Sequence, residues 1–145
     1  MSQIRMKGDM VESQSTSASL KERACEAAAR LLEKRGYQII ERGWVYGEDG
    51  FDIAARRGNV VTLACIVARE GNAADFRGVD APEQREKRAL GAQRFIEERG
   101  MGDVDVRTEV IGVHLWGADR AIVHRWQDDR NVVAERKSRD IEMAR

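Results

Sequence analysis

The chain has 145 residues, with 25 basic and 25 acidic side chains, two cysteines and one proline. This length corresponds to about one domain. A hydrophobic content of 42% supports a packed core, whereas 34% of charged residues leaves no segment near the ~18 apolar residues that a membrane span requires. The formal net charge of zero argues against a protein that mainly coats nucleic acid, because such proteins usually carry a basic excess.

The first 18 residues are polar and contain no apolar period, which predicts a flexible N-terminal tail over residues 1–18. They also lack the basic, apolar and small-residue order of a secretory leader. Two cysteines are too few for a disulfide framework. We therefore expect a cytoplasmic protein with reduced thiols and no membrane partner.

A helix is predicted to begin at Ser19, because Ser19 and Glu22 form a capping-box pattern. Apolar residues then recur at helical spacing until Gly36. Three strands are predicted over residues 37–46, 51–56 and 60–68, with a tight turn at 57–59. The third, VVTLACIVA, is apolar on both faces, which is typical of a central strand covered on both sides.

A second helix is predicted from Pro82 to about Gly100, with Asp80 as its cap. Strands follow at 104–116 and 121–126, and residues 128–145 form a charged C-terminal tail compatible with a short helix. The prediction is one α/β domain over residues 19–127, in the order α-β-β-β-α-β-β. The long crossover favours a parallel pairing of the third and fourth strands, which gives a mixed β-sheet flanked by helices.

Three segments together resemble the YraN-like family of bacterial proteins in their order and spacing. They are ACEAAARLLEKRGYQIIERGW, DGFDIAARRGNVVTLACIVAR and VRTEVIGV, within a region of about residues 22–113. The resemblance implies a restriction-endonuclease-like fold, similar to Holliday-junction resolvases, with a PD-(D/E)xK-type site. In that family the site consists of a glutamate in the first helix and of residues from the motifs GEIDLIA and FVEVKxR.

The site positions of the resembled family are mostly replaced in this chain. Alignment of the motifs puts Asp52 at the family aspartate and Gly50 at the glutamate before it. Cys65 stands at the metal-binding glutamate and Val67 at the lysine, while the helix glutamate falls on Cys25. Arg69 and Glu109 match the terminal arginine and an acidic position of a later strand.

These replacements bear directly on phosphodiester hydrolysis. Mg²⁺ prefers hard oxygen ligands, and a neighbouring lysine offsets developing negative charge. The resemblance therefore implies a nuclease-like scaffold with a degenerate site, which binds DNA or RNA weakly or has a regulatory role, without a metal or other cofactor. Two alternatives stay open: an active Mg²⁺-dependent nuclease with carboxylates from other positions, and a non-catalytic homodimer. The acids considered for the first alternative are Glu26, Glu48, Asp49, Glu70 and Glu109.

Asp52 allows two interpretations. It is either a remnant metal ligand or a strand-end carboxylate held by a backbone donor or an arginine, on the side of the strand opposite to Phe51 and Ile53.

Cys25 and Cys65 also allow two interpretations: they face one another across the former pocket, or each is a small buried hydrophobe. Spacing favours the second because neither cysteine belongs to a CxxC motif.

Four arginines are candidates for contact with a phosphate backbone, since they lie at strand ends or in loops near the inferred pocket: Arg56, Arg57, Arg69 and Arg77. Interleaved acids make a solvated surface the simpler interpretation. His114 and His124 fall on neighbouring strands without a third local ligand, so we predict no metal there. The three tryptophans, Trp44, Trp116 and Trp126, suit base stacking or, more simply, packing between sheet and helix.

Overall fold

Two long helices and five strands form the part of the chain that the computed structural model describes, residues 17–71, 75–117 and 119–135. The helices are α1 (Ser17–Lys34) and α2 (Pro82–Arg99). The strands are β1 (Gln38–Tyr46), β2 (Asp49–Arg57), β3 (Val60–Glu70), β4 (Asp105–Trp116) and β5 (Arg120–Gln127). The predicted element order is confirmed.

The strands lie in one sheet in the spatial order β1-β2-β3-β4-β5. Strands β1, β2 and β3 are antiparallel neighbours, β3 and β4 are parallel, and β5 is antiparallel to β4. The parallel pair follows from the crossover through α2. This mixed sheet confirms the predicted α/β class and is compatible with a restriction-endonuclease-like fold.

Strand β3 is covered on both faces, as its apolar sequence predicts. Ala64 and Ile66 belong to a core that packs against α1, which we call the α1 core. Val61 and Leu63 alternate with them and belong to a second core against α2, the α2 core. The sheet therefore separates two apolar layers, each closed by one helix.

Both helix starts differ from their predictions. Helix α1 begins at Ser17, so Ser19 lies within the helix and not at its cap. Pro82 opens α2 as predicted, but the N-cap is Ala81, which has no side-chain cap bond. Asp80 instead forms ion pairs with Arg85 and Arg88, because these arginines lie on the first turns of α2 next to its carboxylate.

The packed part of the chain continues beyond β5. A single helical turn at 132–135 buries Val132 and Val133 in the α2 core. The predicted N-terminal tail over residues 1–18 is wrong for residues 17 and 18, which belong to α1, while residues 1–16 and the end of the C-terminal tail (136–145) lie outside the described residues. Neither described helix combines the length and apolar character needed to cross a membrane.

Gly112 in β4 makes room for the segment that leads into α2. The ring of Phe76 packs beside His124 and Trp126, with centroid distances of 5.5 and 5.7 Å. An ideal Cβ on Gly112 would lie 2.8 Å from Phe76 Cε1 and 2.9 Å from Trp126 Cζ3. The missing side chain of Gly112 therefore seats Phe76, which fixes residues 75–81 over the sheet.

We expect Gly112→Ala to lower the free energy of unfolding by about 1–3 kcal/mol, because the new methyl group overpacks the contact with Phe76 and Trp126. Urea denaturation followed by tryptophan fluorescence measures the change. Gly102→Ala is the matched control, since nothing lies within 4 Å of a Cβ at Gly102. Equal stabilities of the two variants would contradict the packing role of Gly112.

Candidate functional site

The backbone ladder between β2 and β3 gives way to side-chain hydrogen bonds at the inferred family site. The paired register runs from Arg57 opposite Val60 to Ile53 opposite Ala64. Beyond it, the Ile66 backbone N–H donates to Asp52 Oδ2 at 2.7 Å. The thiol of Cys65 donates to the carbonyl oxygen of Gly50 at 3.6 Å. The side chains of Asp52 and Cys65 therefore form hydrogen bonds with backbone groups of β2 and β3 where the two strands separate.

Asp52 is held by a backbone donor and a lysine. Lys21 Nζ lies 3.3 Å from Asp52 Oδ2 and donates to the Ile66 carbonyl at 2.9 Å. The interpretation of Asp52 as a held strand-end carboxylate is confirmed, with lysine in place of arginine. The expectation that Phe51 and Ile53 share a side is wrong: Phe51 packs in the α2 core and Ile53 in the α1 core, because the strand loses its regular alternation at Asp52.

Sequence reasoning missed Lys21. A signal was available, since Lys21 precedes Cys25 by one helical turn and therefore shares its face of α1. Cys25 is the position that matches the family's helix glutamate. The proximity of that face to Asp52 depends on how α1 lies across the sheet, which the spacing alone does not give.

Gly50 is closed to any larger residue. It pairs with Val45 across the β1–β2 hairpin. An ideal Cβ at Gly50 would lie 2.9 Å from the carbonyl oxygen of Trp44. Because this neighbour is backbone, a glutamate at position 50 would require the hairpin to shift.

The two cysteines lie on opposite faces of the sheet. Cys25 packs against the α1 core and Cys65 against the α2 core, and both thiols are free. The hypothesis that the sulfurs face one another across a common pocket is therefore wrong. Burial, with a smaller effect of nearby Asp52, raises the pKa of the Cys65 thiol to about 11, and burial raises the pKa of Cys25 too. Near neutral pH both are protonated, and the thiolate is the form that binds metals.

A cleft of about 480 Å³ opens between β2, β3, α2 and the segment that Phe76 fixes. Phe51, Cys65 and Val67 form part of its apolar lining. Arg77, Lys87 and Arg88 contribute cationic groups. The cleft therefore brings together positions 65 and 67, which the resemblance aligns with the family's glutamate and lysine, whereas Asp52 and Cys25 do not line it.

The other carboxylates considered as metal ligands are mostly engaged in ion pairs. The pairs, with N–O distances, are Glu26–Arg42 at 3.0 Å, Asp49–Arg94 at 2.6 Å, Glu70–Arg23 at 3.9 Å and Glu109–Arg125 at 2.8 Å. Glu48 is exposed and lines the cleft. Within the described residues, no group of three or more His, Cys, Asp or Glu side chains is arranged to hold a metal ion.

Glu109 has a structural role away from Asp52. Its side chain is fully buried and accepts hydrogen bonds from Arg125 at 2.8 Å and from Thr62 Oγ1 at 2.6 Å. Glu109 raises the pKa of Arg125 far above its usual range through this hydrogen bond. Thr62 and Ile66 are about 13 Å apart at strand spacing, so Glu109 lies well away from Asp52.

The candidate arginines divide between the two ends of the sheet. Arg77 lines the cleft, and Arg69 donates to the Asp75 carbonyl at 3.1 Å beside it. Arg56 and Arg57 lie at the β2–β3 turn, about 23 Å along the strand from Gly50. The prediction that all four lie near the pocket is wrong for Arg56 and Arg57, because they follow the opposite end of β2.

The histidines and tryptophans mostly support the sheet and its loops. His124 is in register with Gly112, and His114 with Ile122, so the two rings do not lie directly opposite one another. His114 Nε2 makes a hydrogen bond with the Gly71 carbonyl.

Trp44 is buried in the α2 core and donates to Glu98 at 2.8 Å, which confirms its predicted packing role. Trp126 contacts Phe76, and Trp116 contacts His114.

The raised pKa of Cys65 predicts a loss of stability at high pH. The folded protein holds the thiol proton more tightly than the unfolded chain, so the stabilisation is complete below about pH 9 and declines as the pH rises through about 11. We expect wild type to lose about 2 kcal/mol more than Cys65→Ala over this range. Denaturant unfolding at several pH values, in a Cys25→Ala background, measures the difference. Parallel pH profiles would contradict the buried thiol.

Comparisons with known proteins give one consistent relationship. No protein-family model matches the chain. A UPF0102 protein of Flavobacterium johnsoniae is 29% identical over 68% of this chain and 84% of its own length. A UPF0102 protein of Christiangramia forsetii is 31% identical over 68% of the chain and 83% of its length, and one of Streptomyces coelicolor is 33% identical over 61% and 70%. The chain therefore belongs to the UPF0102 family, the family of the YraN-like proteins that its sequence resembles.

Proposed function

We propose that this protein binds nucleic acid through a nuclease-like scaffold without hydrolysing it. The observation that carries the proposal is the lining of the cleft by Cys65 and Val67, at the positions of the family's metal-binding glutamate and lysine. Gly50 stands at the position of a further family glutamate. A side chain at this position would meet the Trp44 carbonyl, so the hairpin leaves no room for that carboxylate. The scaffold is kept while the groups for hydrolysis are replaced.

The residues present do not fit a Mg²⁺ site. This ion prefers several hard oxygen ligands and keeps near-octahedral geometry. Asp52 supplies one carboxylate, and its Oδ2 already accepts from Ile66 and contacts Lys21. Cys65 supplies a protonated thiol and Val67 supplies no donor. We therefore derive no hydrolytic step through a metal ion.

An active nuclease with relocated groups is the second candidate, and Lys21 beside Asp52 is the observation that favours it. Lys21 belongs to α1, and its Nζ is bonded to the Ile66 carbonyl as well as to Asp52. The cleft opens on the α2 side of the sheet. An amine on the opposite side is badly placed to act on a phosphodiester there, so we rank this candidate second.

Cationic side chains around the cleft support the binding part of the proposal. Arg77 has a side chain that is 91% exposed and is paired with Asp75 at 2.7 Å, and Lys87 is exposed on α2. Arg69 lies over the ring of Phe76 and donates to the Asp75 carbonyl. Exposed cations of this kind contact phosphate oxygens and release counterions, which makes binding salt-dependent. The homodimer alternative stays a prediction.

Labelled single-stranded, duplex and branched DNA, incubated with the full chain and Mg²⁺ or Mn²⁺, test both parts of the proposal. We expect salt-sensitive binding in anisotropy measurements and no strand cleavage. Arg77→Gln should weaken binding about three- to tenfold and reduce the salt slope by about one, because one phosphate contact is lost.

Arg56→Gln is the matched control, since Arg56 is also an exposed arginine but lies at the opposite end of β2. It should leave the affinity unchanged. Metal-dependent cleavage that Asp52→Asn abolishes would overturn the non-catalytic assignment. Absence of any salt-sensitive binding would overturn the nucleic-acid assignment.

A further inference from the structure

The cleft has an apolar floor, a cationic wall on α2 and an acidic rim at the β1–β2 hairpin, where Glu48 and Asp49 line it and Asp49 is paired with Arg94. Phe51, Cys65 and Val67 belong to the floor, whereas Lys87 and Arg88 come from α2. Lys87 is exposed and has no ion-pair or hydrogen-bond partner among residues 17–71, 75–117 and 119–135. This arrangement suits a ligand with an anionic group at one end and a weakly polar body at the other.

Arg88 is the buried cation of the wall. Its side chain is only 8% exposed, and it bonds to Asp80 at 3.0 Å and to the Val79 carbonyl at 3.3 Å. Its Nε is buried without a hydrogen-bond partner. An unsatisfied buried N–H costs about 1–3 kcal/mol, so a small rotation of the guanidinium towards an anion in the cleft would gain a bond at this atom.

The charge on Arg88 is incompletely balanced. Asp80 is its acidic partner, and the same carboxylate also binds Arg85 at 2.6 Å. One carboxylate therefore serves two guanidinium groups. Together with Lys87, this leaves positive charge at the α2 wall of the cleft.

The size of the cleft suits one small ligand unit. A volume of about 480 Å³ lies within the range of ~300–1,000 Å³ of small-molecule sites. The segment fixed by Phe76 on Gly112 closes one side with Arg77 and Val79. A single nucleotide is a ligand of this size.

We propose that the cleft holds one nucleoside monophosphate unit, with its phosphate against Lys87 and Arg88 and its base or sugar over Val67 and Cys65. The unit is either a free nucleotide or the phosphorylated end of a strand. The choice of a nucleotide among phosphorylated ligands rests on the proposed nucleic-acid function. The site selects strand ends from strand interiors because a terminal phosphate carries more charge than a phosphodiester.

The test compares a single-stranded oligonucleotide with and without a terminal phosphate, by fluorescence anisotropy with the full chain. We expect the phosphate to tighten binding about tenfold, which is the effect of one charge-assisted contact. Lys87→Gln should remove most of this increment. Lys34→Gln makes the same change at an exposed position of α1 and should preserve it.

Val67→Phe is the second variant, because it fills the floor of the cleft and leaves every charge in place. It should abolish the preference for the phosphorylated end, with folding checked by circular dichroism. A free nucleoside monophosphate, added as competitor, distinguishes the two sources: displacement at low concentration indicates a free nucleotide, whereas displacement only by the phosphorylated strand indicates a strand end. Inorganic phosphate serves as the competitor without a base.

The outcomes separate this proposal from the nucleic-acid function. Equal affinity for the phosphorylated and unphosphorylated strands would overturn the nucleotide site while leaving nucleic-acid binding intact. Equal effects of Lys87→Gln and Lys34→Gln on the preference for the phosphorylated strand would also overturn the nucleotide site and leave nucleic-acid binding intact. Direct binding of a labelled nucleoside monophosphate without any oligonucleotide binding would support the cleft and contradict the nucleic-acid function. Absence of binding to every probe would overturn both.

Discussion

The separation of β2 from β3 at Asp52 is the constraint on which the candidate site depends. Past Ile53, the Asp52 carboxylate accepts the Ile66 N–H that an unbroken ladder would pair with backbone. Buried N–H groups need an acceptor, so the carboxylate allows the strands to part without an unsatisfied donor. Lys21 fixes the same carboxylate from α1. The cleft on the α2 side opens beside this junction, and its shape follows from it.

The same junction gives Asp52 a structural role that does not depend on hydrolysis. An acid that is needed to hold two strands apart serves the fold whether or not it binds a metal. Glu109 is a parallel case, because its buried pair with Arg125 ties β4 to β5. Removing one member of such a buried pair costs about 3–5 kcal/mol, which gives a structural reason for an acid at that position. Acidic residues at family site positions therefore do not by themselves indicate catalysis.

The sequence predicts the sheet better than the site. The doubly apolar pattern of β3 places it at the centre, and the long crossover through α2 predicts the parallel pair, because burial and chain connectivity act over neighbouring residues. The site depends on contacts between distant elements. The proximity of Lys21 to Asp52, the placement of Cys25 and Cys65 on opposite faces, and the burial of Glu109 depend on how α1 and the strands pack, which no local pattern encodes.

Binding of Mn²⁺, followed by the loss of its free-ion electron paramagnetic resonance signal, tests the central claim most directly. Wild type should bind no stoichiometric Mn²⁺, because Asp52 is engaged and positions 65 and 67 hold a thiol and an alkyl group. The double substitution Cys65→Glu with Val67→Lys adds a second carboxylate and a lysine to positions 65 and 67. Its Mn²⁺ binding is compared with that of wild type. One Mn²⁺ bound per wild-type chain, and lost in Asp52→Asn, would contradict the account.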